Sequence, residues 1–407
     1  MSTTSRAESA TQKISMTDAQ ESLASLVETR RVIVTVGAGG VGKTTTAAAL
    51  GVAAAMRGRR VLCLTIDPAR RLAESLGLEV MSSEAALVDP KCFEAAGVKI
   101  TGSLTAMMLD TKRTFDDLVV KYSSTPEKAK RLLDNKLYKY VSTSLAGTQE
   151  YMAMEKLVAV KSDPRYDLIL LDTPPTANAL DFLDAPERLV EALDSATMKW
   201  FIQAFESSGK LSLNLLARSA ALVLRGLGKI TGGGFLEAMA EFISELNDLF
   251  GGFKQRAEVV QKALRSPEVA FVLVTSPAPM SIQEVLYFSE RLEEHRMPRG
   301  AFVVNRFRMP PVHQGEAIAA EETAGAVKAR ALQLDDDAPA RLVKAHSDAT
   351  KLAALDAYYV KNLDARASGK VPIVRIPELP SDVHDLKLLA RLADMLMGVR
   401  VEPTPPA

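Results

Sequence analysis

The 407-residue chain has only two cysteines, Cys63 and Cys92, and no C-x-x-C pair. That excludes a disulfide-stapled scaffold and leaves no cysteine set for a structural zinc site. Cys63 lies in the apolar run VLCLTI and reads as a buried small hydrophobe. An excess charge is missing too. Lys plus Arg and Asp plus Glu number 50 each, so there is no overall basic footprint for nucleic acid. No apolar run approaches the roughly 18–20 residues that span a bilayer, although peripheral membrane contact stays open. Residues 1–20, MSTTSRAESATQKISMTDAQ, are polar and lack the apolar core of a secretory signal. We therefore expect a mobile N-terminal tail and a cytoplasmic protein. The histidines, His295, His313, His346 and His384, are scattered, with no spacing that suggests a metal site or a hydrolytic triad. No internal repeat is present, and the one low-complexity tract is the tail 401–407. What remains is an ordinary globular composition, 47% hydrophobic and 25% charged. Its length suits one large α/β domain with insertions or two domains.

The stretch Arg31 to Gly51, RRVIVTVGAGGVGKTTTAAALG, organises the rest. The apolar run Val32 to Val36 has the character of a buried parallel strand. Gly37 to Thr44 then fits G-x-x-x-x-G-K-[ST], and an Ala-rich helix follows from Thr45 to Met56. Strand, glycine loop and helix are the context in which this motif binds phosphate. Glycines let backbone N–H groups turn inward, and the helix N-terminus adds partial positive charge. Gly39, Gly40, Val41 and Gly42 with Lys43, Thr44 and Thr45 form the candidate cradle. Lys43 would reach the β- and γ-phosphates, and the Thr44 hydroxyl would bind Mg²⁺.

Further along, GRRVLCLTI at 58–66 reads as a strand ending at Asp67. This aspartate either touches nucleotide, metal or water, or caps the helix that follows. Residues 103–162 read as helical with one interruption, at which Thr125 caps a helix whose first residue is Pro126. A third strand, Tyr166 to Leu171, closes on Asp172 and the stiff loop Thr173 to Thr176. An aspartate ending an apolar strand matches a metal-holding position of phosphoryl-transfer sites. Between residues 185 and 265 an apolar stripe runs through Phe235, Leu236, Met239, Phe242, Ile243, Leu246, Leu249, Phe250 and Phe253 at helical spacing. It suits core or dimer packing, or a groove for a hydrophobic client. Further strands are expected at 269–275, at 300–304 ending on Asn305, and at 371–376. Asn305 is either a turn residue or an amide that reads a purine edge. Ser381 is expected to cap a last helix from Asp382 to Met397.

Three signatures now stand in order: GAGGVGKTTT at 37–46, DPAR at 67–70 and DTPPT at 172–176. Together they resemble the arsenite-pump and tail-anchored-protein-targeting family of deviant-Walker P-loop ATPases, over most of residues 30–395. The stretches SLAGTQEYMAMEKL and DTPPTANALDFLDAP resemble a bacterial branch that often occurs as paired paralogs. The resemblance implies an α/β P-loop NTPase fold, a mostly parallel sheet flanked by helices with an inserted α-helical subdomain. It also implies a nucleotide-sandwich dimer with ATP at the interface. Lys43 and Thr44 match the family's phosphate lysine and Mg²⁺ residue. Asp67 matches the aspartate that orients the attacking water, and Asp172 the one near Mg²⁺. Asn305 matches the adenine-reading asparagine, and Pro377 to Leu379 the segment packed on the base. The sequence departs from the family at Ala38, where the family has a lysine that reaches the partner's phosphates. It also lacks the interfacial zinc C-x-x-C and the arsenite-binding cysteines.

The expectation is thus a tail at 1–27, one P-loop ATPase domain over 28–400 with helical insertions near 103–162, 185–265 and 308–370, and a tail at 401–407. Its activity would be Mg²⁺-dependent ATP hydrolysis coupled to motion of a helical subdomain that binds a hydrophobic client or partner. Its partner would be a lysine-bearing paralog, with a homodimer as the other possibility. Two alternatives stand beside this: a weakly hydrolysing regulatory subunit of such a heterodimer, and a positioning or partition ATPase.

Overall fold

The computed structural model describes residues 16–66, 71–78, 82–135, 138–139, 142, 148–173, 184–185, 191, 242, 255–311, 325, 335–367 and 369–399. Strands β1 (Val32–Val36), β2 (Arg60–Thr65), β3 (Ala86–Leu87), β4 (Ser103–Met108), β5 (Leu168–Asp172), β6 (Val269–Thr275), β7 (Arg299–Phe307) and β8 (Ile373–Pro377) form one sheet in the order β3-β4-β2-β5-β1-β6-β7-β8. All pairings are parallel except that of the edge strand β3 with β4. Helices cover both faces, so the inner strands are apolar on both sides and buried along their whole length.

Helices among the described residues include α1 (Met16–Thr29), α2 (Lys43–Met56), α3 (Arg71–Ser75), α4 (Pro90–Ala95), α5 (Thr111–Tyr122), α6 (Pro126–Asp134), α7 (Thr148–Lys161), α8 (Pro279–Glu294), α9 (Ala338–Arg366) and α10 (Leu386–Leu396). One layer gathers α1, α2, α4 and α10 over Ile33, Val61, Leu170, Val272 and Val303. The other gathers α7, α8 and α9 over Val34, Leu62, Leu171, Phe271 and Phe302. Alternation along each strand sorts the residues between the two layers. Helix α2 packs against α10 and lies on β1, β2 and β5. Its small side chains permit this closeness. A Cβ at Gly51 would stand 2.8 Å from Cys63 Sγ and 3.1 Å from Leu170 Cδ1.

The longest connection between consecutive described strands runs from β5 to β6. Within it, residues 184–185, 191, 242 and 255–264 are helical, as an inserted helical subdomain requires. The Phe235 to Phe253 stripe lies outside the described residues except for Phe242, which is buried. Among the described residues no helix is long and apolar enough to cross a membrane.

The structure corrects several expectations. The N-terminal tail drawn over 1–27 contains most of α1, because Ala19, Leu23, Leu26 and Val27 recur on one face and bury against the sheet layer. The first residues of the segment read as helical, 103–108, are instead β4, which pairs with β2 along its length. Strand β7 continues past Asn305 to Phe307. The last helix starts later than expected: its cap is Asp385, whose carboxylate accepts from the Leu388 N–H at 2.7 Å. Thr125 does cap α6, with Pro126 in the first turn.

Candidate active site

Strand β1 lies between β5 and β6. The chain leaves β1 toward β2 on one side and returns past it to β6 on the other. The carboxyl end of such a strand is where open α/β sheets take their ligands. Here the glycine loop leaves β1. Gly37 has φ 152°, and a Cβ there would stand 2.0 Å from the Val274 carbonyl oxygen. Gly42 has φ 97°, and a Cβ there would stand 2.4 Å from Asn305 Nδ2. Any larger residue at either position would push the loop off its neighbours. Gly39 and Gly40 are exposed at the turn, whereas Val41 is buried in the core layer beneath α2.

Helix α2 begins at Lys43 with Gly42 as its cap, and no side chain caps its first-turn N–H groups. An uncapped helix start facing a glycine loop is suited to a phosphate. The Lys43 side chain is buried, and its Nζ donates to the Ala38 carbonyl at 2.7 Å, so the ammonium spans the loop it belongs to.

Parity on the strands brings the polar groups to the same place. Leu168 and Leu170 face the α2 layer, and so does Asp172 two residues on; Val61 and Cys63 lead likewise to Thr65. Thr44 Oγ1 donates to Asp172 Oδ2 at 2.7 Å, and Thr65 Oγ1 donates to the same oxygen at 3.2 Å. The carboxylate is 1% exposed. Thr173 Oγ1 donates to the Thr35 carbonyl at 2.8 Å and pins the start of the following loop to β1. A hydroxyl and a carboxylate beside a phosphate cradle are hard oxygen donors, the kind Mg²⁺ takes together with phosphate oxygens. Nearby Cys63 is fully buried. Burial and the Asp172 charge push its thiol up to about 12, which leaves it an inert packing residue.

A cavity of about 310 Å³ adjoins this cradle. It is lined by Gly42 and Thr45, by Asn305 and Arg306 at the end of β7, by Glu378, Leu379, Ser381, Asp382 and Val383 after β8, and by Leu392. Asn305 Nδ2 donates to the Val41 carbonyl at 2.9 Å, so this amide also clamps the glycine loop. Leu379 lines the cavity. Pro377 closes β8 opposite Phe307 and does not line it. Asp67 and Pro174 to Thr176 lie outside the described residues.

Arg306, Ser381, Asp382, Val383 and Leu392 are cavity residues to which sequence reasoning gave no ligand role, whereas Glu378 lies inside the Pro377 to Leu379 segment that the resemblance assigns to the base. The carboxyl end of β7 and the loop after β8 meet only because the two strands pair. The adjacency of Arg306 to Asn305 was the one local hint.

A family model described as "Anion-transporting ATPase" matches residues 30–324. The chain is also similar to the ATPase get3 of Aspergillus terreus, 26% identical over 294 residues, covering 72% of this chain and 78% of that protein. The ATPase get3 of Pyrenophora tritici-repentis is 24% identical over 285 residues, 70% of this chain and 75% of its own length. The ATPase GET3 of Malassezia globosa is 24% identical over 279 residues, 68% and 72% respectively.

Proposed function

The chain belongs to the anion-transporting ATPase family, and from that premise we propose that it hydrolyses Mg²⁺–ATP on the loop ending in Lys43 and Thr44. The observation that carries this reading is the 2.7 Å bond from Thr44 to the buried carboxylate of Asp172, at the uncapped start of α2. Backbone N–H groups of Gly39, Gly40, Val41 and Gly42, and of Lys43 to Thr45, would hold the phosphates. Thr44 and Asp172 would hold Mg²⁺, which neutralises charge on the β- and γ-phosphate oxygens when bound. Asn305 and the Pro377 to Leu379 loop would hold the adenine.

Asp67 would orient a water for in-line attack on the γ-phosphorus. As that bond forms, the bond from the γ-phosphorus to the β–γ bridging oxygen breaks, leaving ADP and inorganic phosphate. Lys43 would stabilise the charge that develops on the γ-phosphoryl oxygens. Nucleotide state would then move the helical insertion between β5 and β6, whose Phe235 to Phe253 stripe would take a hydrophobic client or partner.

Ala38 favours a second element of the proposal. The family's lysine at this loop position completes the partner's site across a dimer, and a cation supplied in trans is worth about 10³–10⁵ in rate, judged from arginine fingers. A homodimer of this chain has alanine on both sides. We therefore favour a heterodimer with a lysine-bearing paralog, in which the site built on Lys43 is the fast one. The fungal relatives do not bear on this pairing, which rests on Ala38 and on SLAGTQEYMAMEKL. The alternative is that this chain is the weakly hydrolysing subunit of such a pair.

One experiment tests both. Phosphate release is measured for the chain alone, for a mixture with the paralog, and for the mixture carrying Lys43→Ala. We expect slow turnover alone, faster turnover mixed, and a loss of about 10²–10³ on substitution, the typical cost of one preorganised donor. Near-normal hydrolysis with Lys43→Ala in every setting would remove the central claim. Equal rates alone and mixed would remove the trans-lysine reading.

A further inference from the structure

Strand β7 carries one residue too many near its carboxyl end. Up to Val304 its alternation is regular: Ala301 and Val303 lie in the α2 layer, Phe302 and Val304 in the α8–α9 layer. Pairing with β8 then slips, from Val304 opposite Arg375 to Phe307 opposite Pro377, so that three steps on β7 match two on β8. Regular alternation would send Arg306 into the α8–α9 layer after Val304. Phe307 takes that place instead, buried, with the Arg375 guanidinium 5.5 Å from its ring centroid. Arg306 is the extra residue. Its φ is 58°, a left-handed value that L side chains rarely adopt, and it lines the cavity directly beside Asn305.

Bulges of this kind re-aim a side chain, and they are over-represented next to active sites. A left-handed non-glycine residue persists where the surroundings hold it. The contact found for the Arg306 guanidinium among the described residues is Asp382 at 3.9 Å, and that carboxylate is 97% exposed. Such a pair is weak and readily exchanged. Glu378, 3.7 Å from the Arg308 guanidinium, and Asp382, beside Arg306, leave this end of the cavity no net positive charge to draw a phosphate, which suits the nucleotide's base instead. A guanidinium beside a flat heterocycle stacks on it.

We propose that Arg306 contacts the base of the bound nucleotide, exchanging its loose pairing with Asp382 for stacking on a purine ring. This rests on the ATP-binding reading above. It adds a base-contacting residue, displayed by the β7 bulge, to the asparagine before it.

Calorimetric titration of the full chain with ATP, and separately with inorganic tripolyphosphate, tests it. Arg306→Gly removes the side chain, and glycine accepts φ 58° freely, so the ligand-free unfolding midpoint should equal or exceed that of wild type. ATP affinity should fall by about 3- to 30-fold, the range of cation–π contacts, with tripolyphosphate affinity unchanged. Arg306→Lys keeps the charge but loses the plane and should lie between. Three results would each overturn the proposal: wild-type ATP affinity in Arg306→Gly, equal losses for ATP and tripolyphosphate, or earlier unfolding of the ligand-free variant. A wild-type chain that binds no ATP would instead sink the ATP reading itself.

Discussion

Replacing Asp172 with asparagine would separate the metal binding proposed for it from its part in folding. The carboxylate is 1% exposed, and its Oδ2 accepts from Thr44 at 2.7 Å and from Thr65 at 3.2 Å. Asparagine keeps the size and an acceptor oxygen, so both hydroxyls retain a partner. What is lost is the charge-assisted part of those bonds, about 1 kcal/mol. Part of that is returned because a charge no longer has to be buried. Ligand-free stability should therefore move by no more than about 1 kcal/mol, a few degrees in unfolding midpoint. The Mg²⁺ dependence should change far more. Removing a proposed metal-holding carboxylate should cost at least the roughly 10–100-fold in metal affinity that loss of a ligand's supporting partner costs, or about 1.4–2.7 kcal/mol. The assay is phosphate release at fixed ATP, titrated with Mg²⁺, alongside thermal unfolding without ligand. The half-saturating Mg²⁺ should rise by that factor. An unchanged Mg²⁺ titration in folded Asp172→Asn protein would refute the role given to the Thr44–Asp172 pair. A large fall in the ligand-free midpoint would make the aspartate a folding residue instead.

Two further perturbations probe other parts of the molecule. Gly42→Ala forces a Cβ to within 2.4 Å of Asn305 Nδ2 at φ 97°; left-handed backbone alone costs about 1–2 kcal/mol. The unfolding midpoint and ATP affinity should both fall, and wild-type values of both would contradict the close packing of loop and asparagine. At the opposite end of the sheet, Arg60 holds the Asp167 carboxyl down at about 2, chiefly through side-chain hydrogen bonds at 2.6 and 3.0 Å. A depressed carboxylate adds stability above its ordinary value near 3.8, and that stability is lost as pH falls through about 2. In urea unfolding, the small deficit of Arg60→Ala at neutral pH should close over that acid window, and a gap that persists below it would mean the pair acts by packing rather than by charge.

Much of the candidate site's framework is legible in the sequence because its parts are local. Val32 to Val36, the glycine loop and the Ala-rich helix are contiguous, and each needs its own residue types. Asp172, which the structure places beside Thr44, stands out in the sequence as an aspartate closing an apolar run. The less local parts were harder to read. The α1 helix carries its buried face on Ala19, Leu23, Leu26 and Val27 among many polar neighbours, and its burial depends on β7 and β8 being beneath it. Residues 103–108 have no strong strand pattern, and they are a strand because β2 offers them a full edge of backbone partners.

The sequence by itself determined the phosphate loop, the strands around it, the lysine and hydroxyl at the helix start, and the order of the signatures. These depend on backbone conformations and periodicities set within about twenty residues. Only the tertiary structure decided that Thr44 and Thr65 share one oxygen of Asp172, and that Asn305 clamps Val41 as well as lining a cavity. It alone decided that Arg306 is turned toward that cavity. That turn comes from a mismatch of one residue between β7 and β8, more than sixty positions apart in the chain. Pairing register is a property of two strands together, and neither strand's own residues encode the slip.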